Sequence, residues 1–228
     1  GLPTSNLEEA FKDAGDDIRL KWTIIKDKAT SVPGDSHWSA TVPYSVSTTS
    51  HKSGRVTRKV YIPHSQRPEP YDASHNPLNY RILRYADVLL MYAEVENALG
   101  DDGQARWALN KVRDRVELDP VKSDGTALRD AIRRERRLEL ALENQRLFDI
   151  RRWKNDSGKS VMSDIMGPNG SFVKYNTEES ADPYEVGNQK ESSSKGRNFK
   201  EERDLVFPIP TTEITQSNGS IVQNPGYN

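Results

Sequence analysis

The sequence predicts a mainly α-helical protein: a tetratricopeptide-like helical hairpin and a third long helix, set among long irregular loops and a few short β-strands. Three observations carry this. Within residues 79–99, Ile82, Tyr85, Ala86, Leu89, Tyr92, Ala93 and Glu96 recur at helical spacing, and Gly100 supplies the stop. Asp101 can cap a second helix, with Ala105, Ala108, Leu109, Val112 and Val116 on one face. From about Thr126 a third periodic run carries Leu128, Ile132, Glu135, Glu139 and Leu142 on one face and continues irregularly to Trp153. The short turn and small residues between the first two helices suit an αα-hairpin, and no second copy appears at a period of about 34 residues.

Around that helical core, at 79–153, the remaining elements follow in order. Ser5 and Glu8 have capping-box spacing, so a short helix is expected through Lys12, ending near Gly15. Ile18, Leu20, Trp22 and Ile24 alternate with polar residues and predict a strand with one buried face. Residues 31–55 shift to Ser, Thr, Pro, Gly and His and read as loop; Val56, Val60 and Ile62 then resume alternation as a second strand. Prolines crowd Pro63 to Pro77 and disfavour helix. Residues 154–206 are again loop-like, followed by an extended Phe207 to Pro210, a helical turn at Thr212 to Gln216 and a Pro-Gly turn. The organisation read from this is one domain, 1–228: 1–78 of short helix, strands and loops, 79–153 as helical core, and 154–228 as a loop-rich end.

Composition narrows the function classes. The chain has 228 residues, 33 basic against 34 acidic side chains and a formal charge of −1, and no basic stripe with interleaved aromatics, so nucleic acid is not an expected partner. The mean hydropathy is strongly negative. The absence of cysteine removes disulfides, thiolate catalysis and zinc–cysteine sites. No apolar run approaches the ~20 residues of a membrane-spanning helix. The opening, GLPTSNLEEAF, reads as an already formed structural segment rather than a signal, which suits a truncated or processed chain.

The third helix poses the sharpest question, because Glu135 and Glu139 sit inside its buried stripe. A buried carboxylate requires a partner, and Arg146, Arg151 and Arg152 lie nearby in sequence. Glycosidase carboxylates flank a bond at about 5 to 9.5 Å, usually from different elements. Two carboxylates one turn apart on one helix leave no room between them for a substrate. The expectation is therefore a structural ion-pair network of Glu135, Glu139, Arg146, Asp149 and Arg152, with no catalytic residue.

His37, His51, His64 and His75 fall in loop without paired metal-ligand spacing, so no metal and no cofactor are expected. The triplets beginning at Asn155, Asn169 and Asn218 match a glycosylation pattern that arises often by chance. Aromatics in loops are the remaining lead. Trp38, Tyr44 and Tyr71, with His37 beside them, lie in Pro/Ser/Thr-rich sequence, and such amphipathic rings suit an uncharged polar ligand such as a sugar.

Three segments in order resemble one family. RILRYADVLLMYAE at 81–94 with ALNKVRDRV at 108–116, ERRLELALENQRLFDIRRW at 135–153, and FPIP with QNPGY at 207–210 and 223–227 are similar to the C-terminal half of SusD/RagB proteins. Asn144 stands where that family usually has glycine, and Leu147 where an aromatic is common; Asn tolerates a positive φ, so the turn is expected to survive. The resemblance implies a nutrient-binding, non-enzymatic lipoprotein of the outer membrane in Bacteroidetes. It further implies a glycan ligand and a SusC-like TonB-dependent transporter as partner. A missing N-terminal half of the same protein, which would carry the lipidated cysteine, is also implied. The alternative is an interaction module that docks the transporter without touching ligand. No ligand-binding residue carries over from the motifs themselves.

Overall fold

A computed structural model gives the structure of residues 3–46, 53–72, 74, 77–168, 170–172 and 199–227. His51, His75 and Asn169 lie outside these described residues. The chain gathers into two compact units, one up to Arg146 and one from Leu147 onward.

In the first unit, α1 (Ser5–Asp13) is capped one residue earlier than the sequence suggests: the Thr4 side chain accepts from Leu7 N. Glu8 is thereby free for ion pairs with Arg55 at 2.7 Å and Lys26 at 3.1 Å. The next segment corrects the strand expected at Ile18–Ile24. It is a helix, α2 (Asp17–Thr23), with Asp16 as its N-cap. The alternation misled because the residues facing inward are Arg19 and Thr23, four apart, while Ile18 and Trp22 face outward. Only then does a strand begin. β1 (Ile24–Lys26) pairs antiparallel with β2 (Arg55–Thr57), Ile25 opposite Val56. Val60, expected to extend β2, is exposed beyond its end.

The hairpin forms from α3 (Tyr85–Leu99) and α4 (Asp102–Asp114). Gly100 adopts φ +87°, the left-handed C-cap that a Cβ would disfavour, and Asp101 accepts from Gln104 N at 3.0 Å to start α4. α3 begins six residues later than the periodicity suggests, because Arg84 is extended and spends its guanidinium on Glu139 and Glu143. Leu89, Leu90 and Ala93 pack with Ala105, Ala108, Leu109 and Val112 of α4 and with Leu128, Ala131 and Ile132 of α5 (Gly125–Glu139). The small side chains let these helices approach closely. The outer face of α3 is also apolar: Val88, Met91, Tyr92, Val95 and Leu99 are all exposed, and Tyr92 meets Trp107 of α4 edge to face at 6.4 Å.

α5 stops at Glu139, short of the expected Leu142, which takes φ +64° in the following turn. Asn144 takes φ +66°, as its place in the motif requires, and donates to Tyr80 Oη at 3.0 Å.

The second unit holds α6 (Arg146–Arg152, its first residue still in the first unit), α7 (Val161–Met166), α8 (Glu201–Asp204) and α9 (Thr211–Gln216). Ile150, Trp153 and Phe199 are buried there. Glu201 accepts from Ser160 N at 3.0 Å and Ser163 Oγ at 3.1 Å, tying α8 to the start of α7. The FPIP and QNPGY segments prove to be one structure. The Gln223 amide accepts from Ile209 N at 2.8 Å and donates to Ile209 O at 2.9 Å. Asn224 donates to Phe207 O at 2.7 Å, and Tyr227 Oη to Val206 O at 3.0 Å.

Candidate functional site

Two polar constellations stand out in the first unit, and they differ in kind. The first surrounds the paired glutamates of α5. Glu139 Oε2 lies 2.8 Å from Arg19 Nη1, and its Oε1 lies 2.5 Å from both Arg84 and Arg115; Glu135 is held by Arg19 at 2.6 Å and Arg113 at 2.8 Å. Arg19 also clamps Asp16 at the start of its own helix. Burial pushes the Glu139 carboxyl up, but the hydrogen bonds and charges of Arg84, Arg19 and Arg115 outweigh it and hold the group below its ordinary range. Such a carboxylate is ionised, saturated and poorly suited to carry a proton.

Within the expected network, Glu135 and Glu139 are held by Arg19, Arg84, Arg113 and Arg115. Arg19 and Arg84 reach the glutamates from about 120 and 55 residues away in sequence, which spacing alone could not reveal. Asp149 and Arg152 pair with each other at 2.8 Å inside α6 in the second unit. A concavity of about 520 Å³ beside Glu135, bordered by Ala10, Asp13, Arg113, Val121, Arg134 and Arg137, has no aromatic in its wall.

The second constellation is built on Asp35, and here the loop aromatics come together. Val32 and Asp35 bridge across a tight turn in which Gly34 has φ +78°; a Cβ there would press within 3.2 Å of Arg58. Arg58 ties the turn to the second loop, donating to Pro33 O at 2.7 Å and Tyr61 O at 3.1 Å. Tyr44 is set by a two-way backbone pairing: Lys28 N donates to Tyr44 O at 2.7 Å, and Tyr44 N to Ala29 O at 2.8 Å.

Asp35 is buried and accepts from four donors. Its Oδ1 takes His37 N at 3.0 Å; its Oδ2 takes Tyr61 Oη at 2.5 Å, His64 N at 3.0 Å and His64 Nδ1 at 2.8 Å. Burial alone would raise its pKa, but the bonds from Tyr61, His64 and the two backbone amides hold it far below the ordinary range. An ionised carboxylate only accepts, so the shared proton sits on His64 Nδ1. Tyr61 is pushed up to about 12, by burial first and by its bond to Asp35 second. It remains a phenol and accepts from Trp38 Nε1 at 2.7 Å.

On this polar seed the rings assemble. His37 stacks on His64 with centroids 3.7 Å apart, and Trp38 lies 4.7 Å from Tyr44 and edge-on to His64 at 5.1 Å. Tyr44 meets Tyr61 at 6.1 Å. The Arg67 guanidinium lies 4.7 Å from the Tyr71 ring and 5.6 Å from that of Tyr61. Trp38 and Tyr44 are half-buried side by side, and His37 and Tyr71 are exposed. So His37, Trp38 and Tyr44 share one cluster, and Tyr71 joins it through Arg67. Sequence reasoning missed Asp35, Tyr61, His64, Arg58 and Arg67. For Tyr61, His64 and Arg67 the only hint was the mix of His and aromatic residues with Pro in 61–71; Asp35 and Arg58 had none.

Chemically, the cluster offers ring faces, tyrosine hydroxyls and a guanidinium. Its carboxylate and its Tyr61 phenol are locked in their charged and neutral forms, so neither is poised for proton transfer. Among the described residues no three His, Asp or Glu side chains converge as a metal-binding group. No helix among them is long and apolar enough to cross a membrane.

The chain as a whole is similar to known proteins. SusD-like protein P2 of Formosa agariphila is 30% identical over 159 residues, covering 65% of this chain and 26% of that protein. A SusD-like protein of Bacteroides ovatus is 39% identical over 82 residues, 35% of this chain and 14% of that one. The chain thus spans about a quarter or less of the length of these curated relatives. Among solved structures, a SusD-like protein from Bacteroides fragilis superposes with a TM-score of 0.67 at 24% identity, covering 99% of this chain and 46% of that one. Surface glycan-binding protein A from Bacteroides uniformis superposes with 0.53 at 23%, covering 96% and 40%. The family model of the SusD family (SusD_RagB) matches residues 6–227, and the chain belongs to that family.

Proposed function

We propose that the protein is a non-enzymatic glycan-binding component of the cell surface, serving an outer-membrane uptake system that hands oligosaccharide to a SusC-like TonB-dependent transporter. The observation that carries this is the Asp35-centred cluster. Trp38 and Tyr44 lie 4.7 Å apart and half-buried, with His37 and Tyr71 exposed beside them. A sugar ring presents an apolar C–H face and a rim of hydroxyls; half-buried rings fit the first, and tyrosine hydroxyls with Arg67 fit the second. Recognition by stacking is consistent with carboxylates that hold position rather than move protons. The name of the Bacteroides uniformis protein, with its similar fold, agrees with this reading.

The test is affinity gel electrophoresis against a polysaccharide panel, comparing wild type with Trp38→Ala. Truncating a central aromatic anchor is expected to weaken retention at least about tenfold, or about 1.4 kcal/mol. Trp38 also holds Tyr61, so Tyr71→Ala, which removes an exposed ring, serves as the milder variant. Equal retention by both variants and wild type would remove the cluster from ligand binding.

One observation favours a second reading. The outer stripe of α3 (Val88, Met91, Tyr92, Val95 and Leu99) is a helix-docking pattern left open to solvent. Its occupant in this reading is a helix of further polypeptide, since the Bacteroides fragilis relative has about as much chain again beyond the matched part. The hairpin then acts as an interaction module. If both variants leave glycan retention untouched, this second reading stands in place of the first.

A further inference from the structure

We infer that the cluster selects acidic glycans, with the Arg67 guanidinium reading a carboxylate or sulfate on the sugar; this rests on the glycan-binding reading above. The starting point is how the arginines of the first unit are used. Arg19, Arg55, Arg84, Arg113 and Arg136 each meet a carboxylate within 3 Å. Arg67 does not. Its Nε donates to Ile62 O at 3.1 Å and one Nη2 hydrogen reaches Tyr61 Oη at a long 3.4 Å. Among the described residues no carboxylate forms an ion pair with it, and its Nη1 hydrogens have no acceptor.

The surroundings keep that charge in place without neutralising it. The guanidinium stands over both the Tyr71 and Tyr61 rings, which fixes its plane through cation–π contact and leaves its edge open. A guanidinium edge presents parallel donors that match a carboxylate or sulfate at two points. The hydroxyls of Tyr44 and Tyr71 also take no hydrogen bond among the described residues. Arg67 and Tyr71 are close enough to Tyr44 to influence its ionisation, and burial, the largest cause, raises the Tyr44 phenol above its ordinary range. Tyr44 therefore offers a proton rather than a negative charge. The carboxylate of the cluster, Asp35, is buried and spent on four donors. Glu69 and Asp72 are exposed on the adjoining stretch, and Asp72 accepts from Ser74 N and Oγ. What faces outward here is thus a half-buried cation beside neutral donors, with Glu69 and Asp72 as the exposed carboxylates of the adjoining stretch. A neutral sugar would use the rings and leave the guanidinium unanswered; an acidic sugar uses both.

The experiment runs the whole chain on affinity gels holding neutral polysaccharides (dextran, pullulan), polygalacturonate beside its methyl ester, and dextran sulfate and chondroitin sulfate beside their uncharged or desulfated counterparts. Retention is expected on acidic members only. Loss on methyl esterification identifies a carboxylate as the ligand group, and loss on desulfation a sulfate. Arg67→Gln is expected to weaken that retention at least about tenfold, and Arg67→Lys, which keeps the charge without the fork, by less. Retention on neutral members equal to that on their acidic counterparts would overturn the inference while leaving glycan binding intact. So would unchanged acidic retention by an Arg67→Gln protein with a wild-type circular dichroism spectrum. Retention on no member by wild type would overturn the glycan reading and this inference together.

Discussion

Replacing Glu139 by Gln tests whether the carboxylates of α5 hold the first unit together. The substitution keeps shape and removes one negative charge that three arginines share, at 2.8 Å from Arg19 and 2.5 Å from Arg84 and Arg115. Breaking a fully buried pair costs about 3 to 5 kcal/mol. Here the loss is cushioned: Arg84 keeps Glu143 at 2.6 Å, Arg115 is largely exposed, and Arg19 keeps Asp16 and Glu135. The lower end, about 3 kcal/mol, follows. At about 2 to 4 °C per kcal/mol for a chain of this size, the melting temperature falls by about 6 to 12 °C. The variant also has a pH signature. The folded carboxyl is held below its unfolded value, so its contribution is fully present above the unfolded pKa of about 4.3 and is lost as pH falls through the folded one. The stability gap between wild type and variant should shrink on acidification from about pH 6 to pH 3. Thermal melts by circular dichroism across that range read both effects. A variant that melts within a degree or two of wild type at neutral pH, or a gap that widens in acid, refutes the scaffold role.

Two further outcomes follow from particular contacts. Glu8, lowered to about 2 by Arg55 and Lys26 in spite of burial, adds stability that is present above about pH 4.5 and lost as pH falls toward 2. With the exposed lysines discounted, Glu8→Gln should cost about 2 kcal/mol in urea melts at pH 7 and almost nothing near pH 2. Gly226→Ala places a Cβ 2.8 Å from Arg203 Cγ and 2.9 Å from its Cβ, at φ +81°. The two penalties together amount to about 2 to 4 kcal/mol, and amide exchange across residues 205–227 should quicken by at least tenfold; unchanged protection there would count against the clamp.

The helices with a single apolar stripe were legible, because their period survives whatever packs against them. Leu128, Ile132, Glu135 and Glu139 face inward together, as their spacing requires, and Gly100 and Asp101 mark the hairpin turn by backbone chemistry alone. What failed was α2 and the start of α3, where the residue setting the phase is an arginine paired far along the chain. Arg19 made a helix look like a strand, since its burial depends on Glu135 and Glu139, over a hundred residues away. The start of α3 failed for the same reason at Arg84. In this unit ion pairs replace part of the apolar code, and a pattern reader that counts only apolar residues loses the phase.

The site shows the same logic at smaller scale. Trp38, Tyr44, His37 and Tyr71 were legible as loop aromatics without an obvious core to join, whereas the group that assembles them was not. Asp35 carries no sequence signal beyond a turn-forming residue, yet one buried carboxylate gathers two loops by accepting from His37, Tyr61 and His64. Rings held this way lose little freedom when a ligand arrives, because their backbones and tips are already fixed. The motifs that announce the family do a different job: Glu135 and Glu139 brace α5, while Gln223 and Asn224 hold the FPIP segment through its backbone. They build frame, and none of them lies in the Asp35 cluster. Under the proposed acidic-glycan reading, selectivity lies instead in the Arg67 guanidinium, left without a carboxylate among three tyrosines.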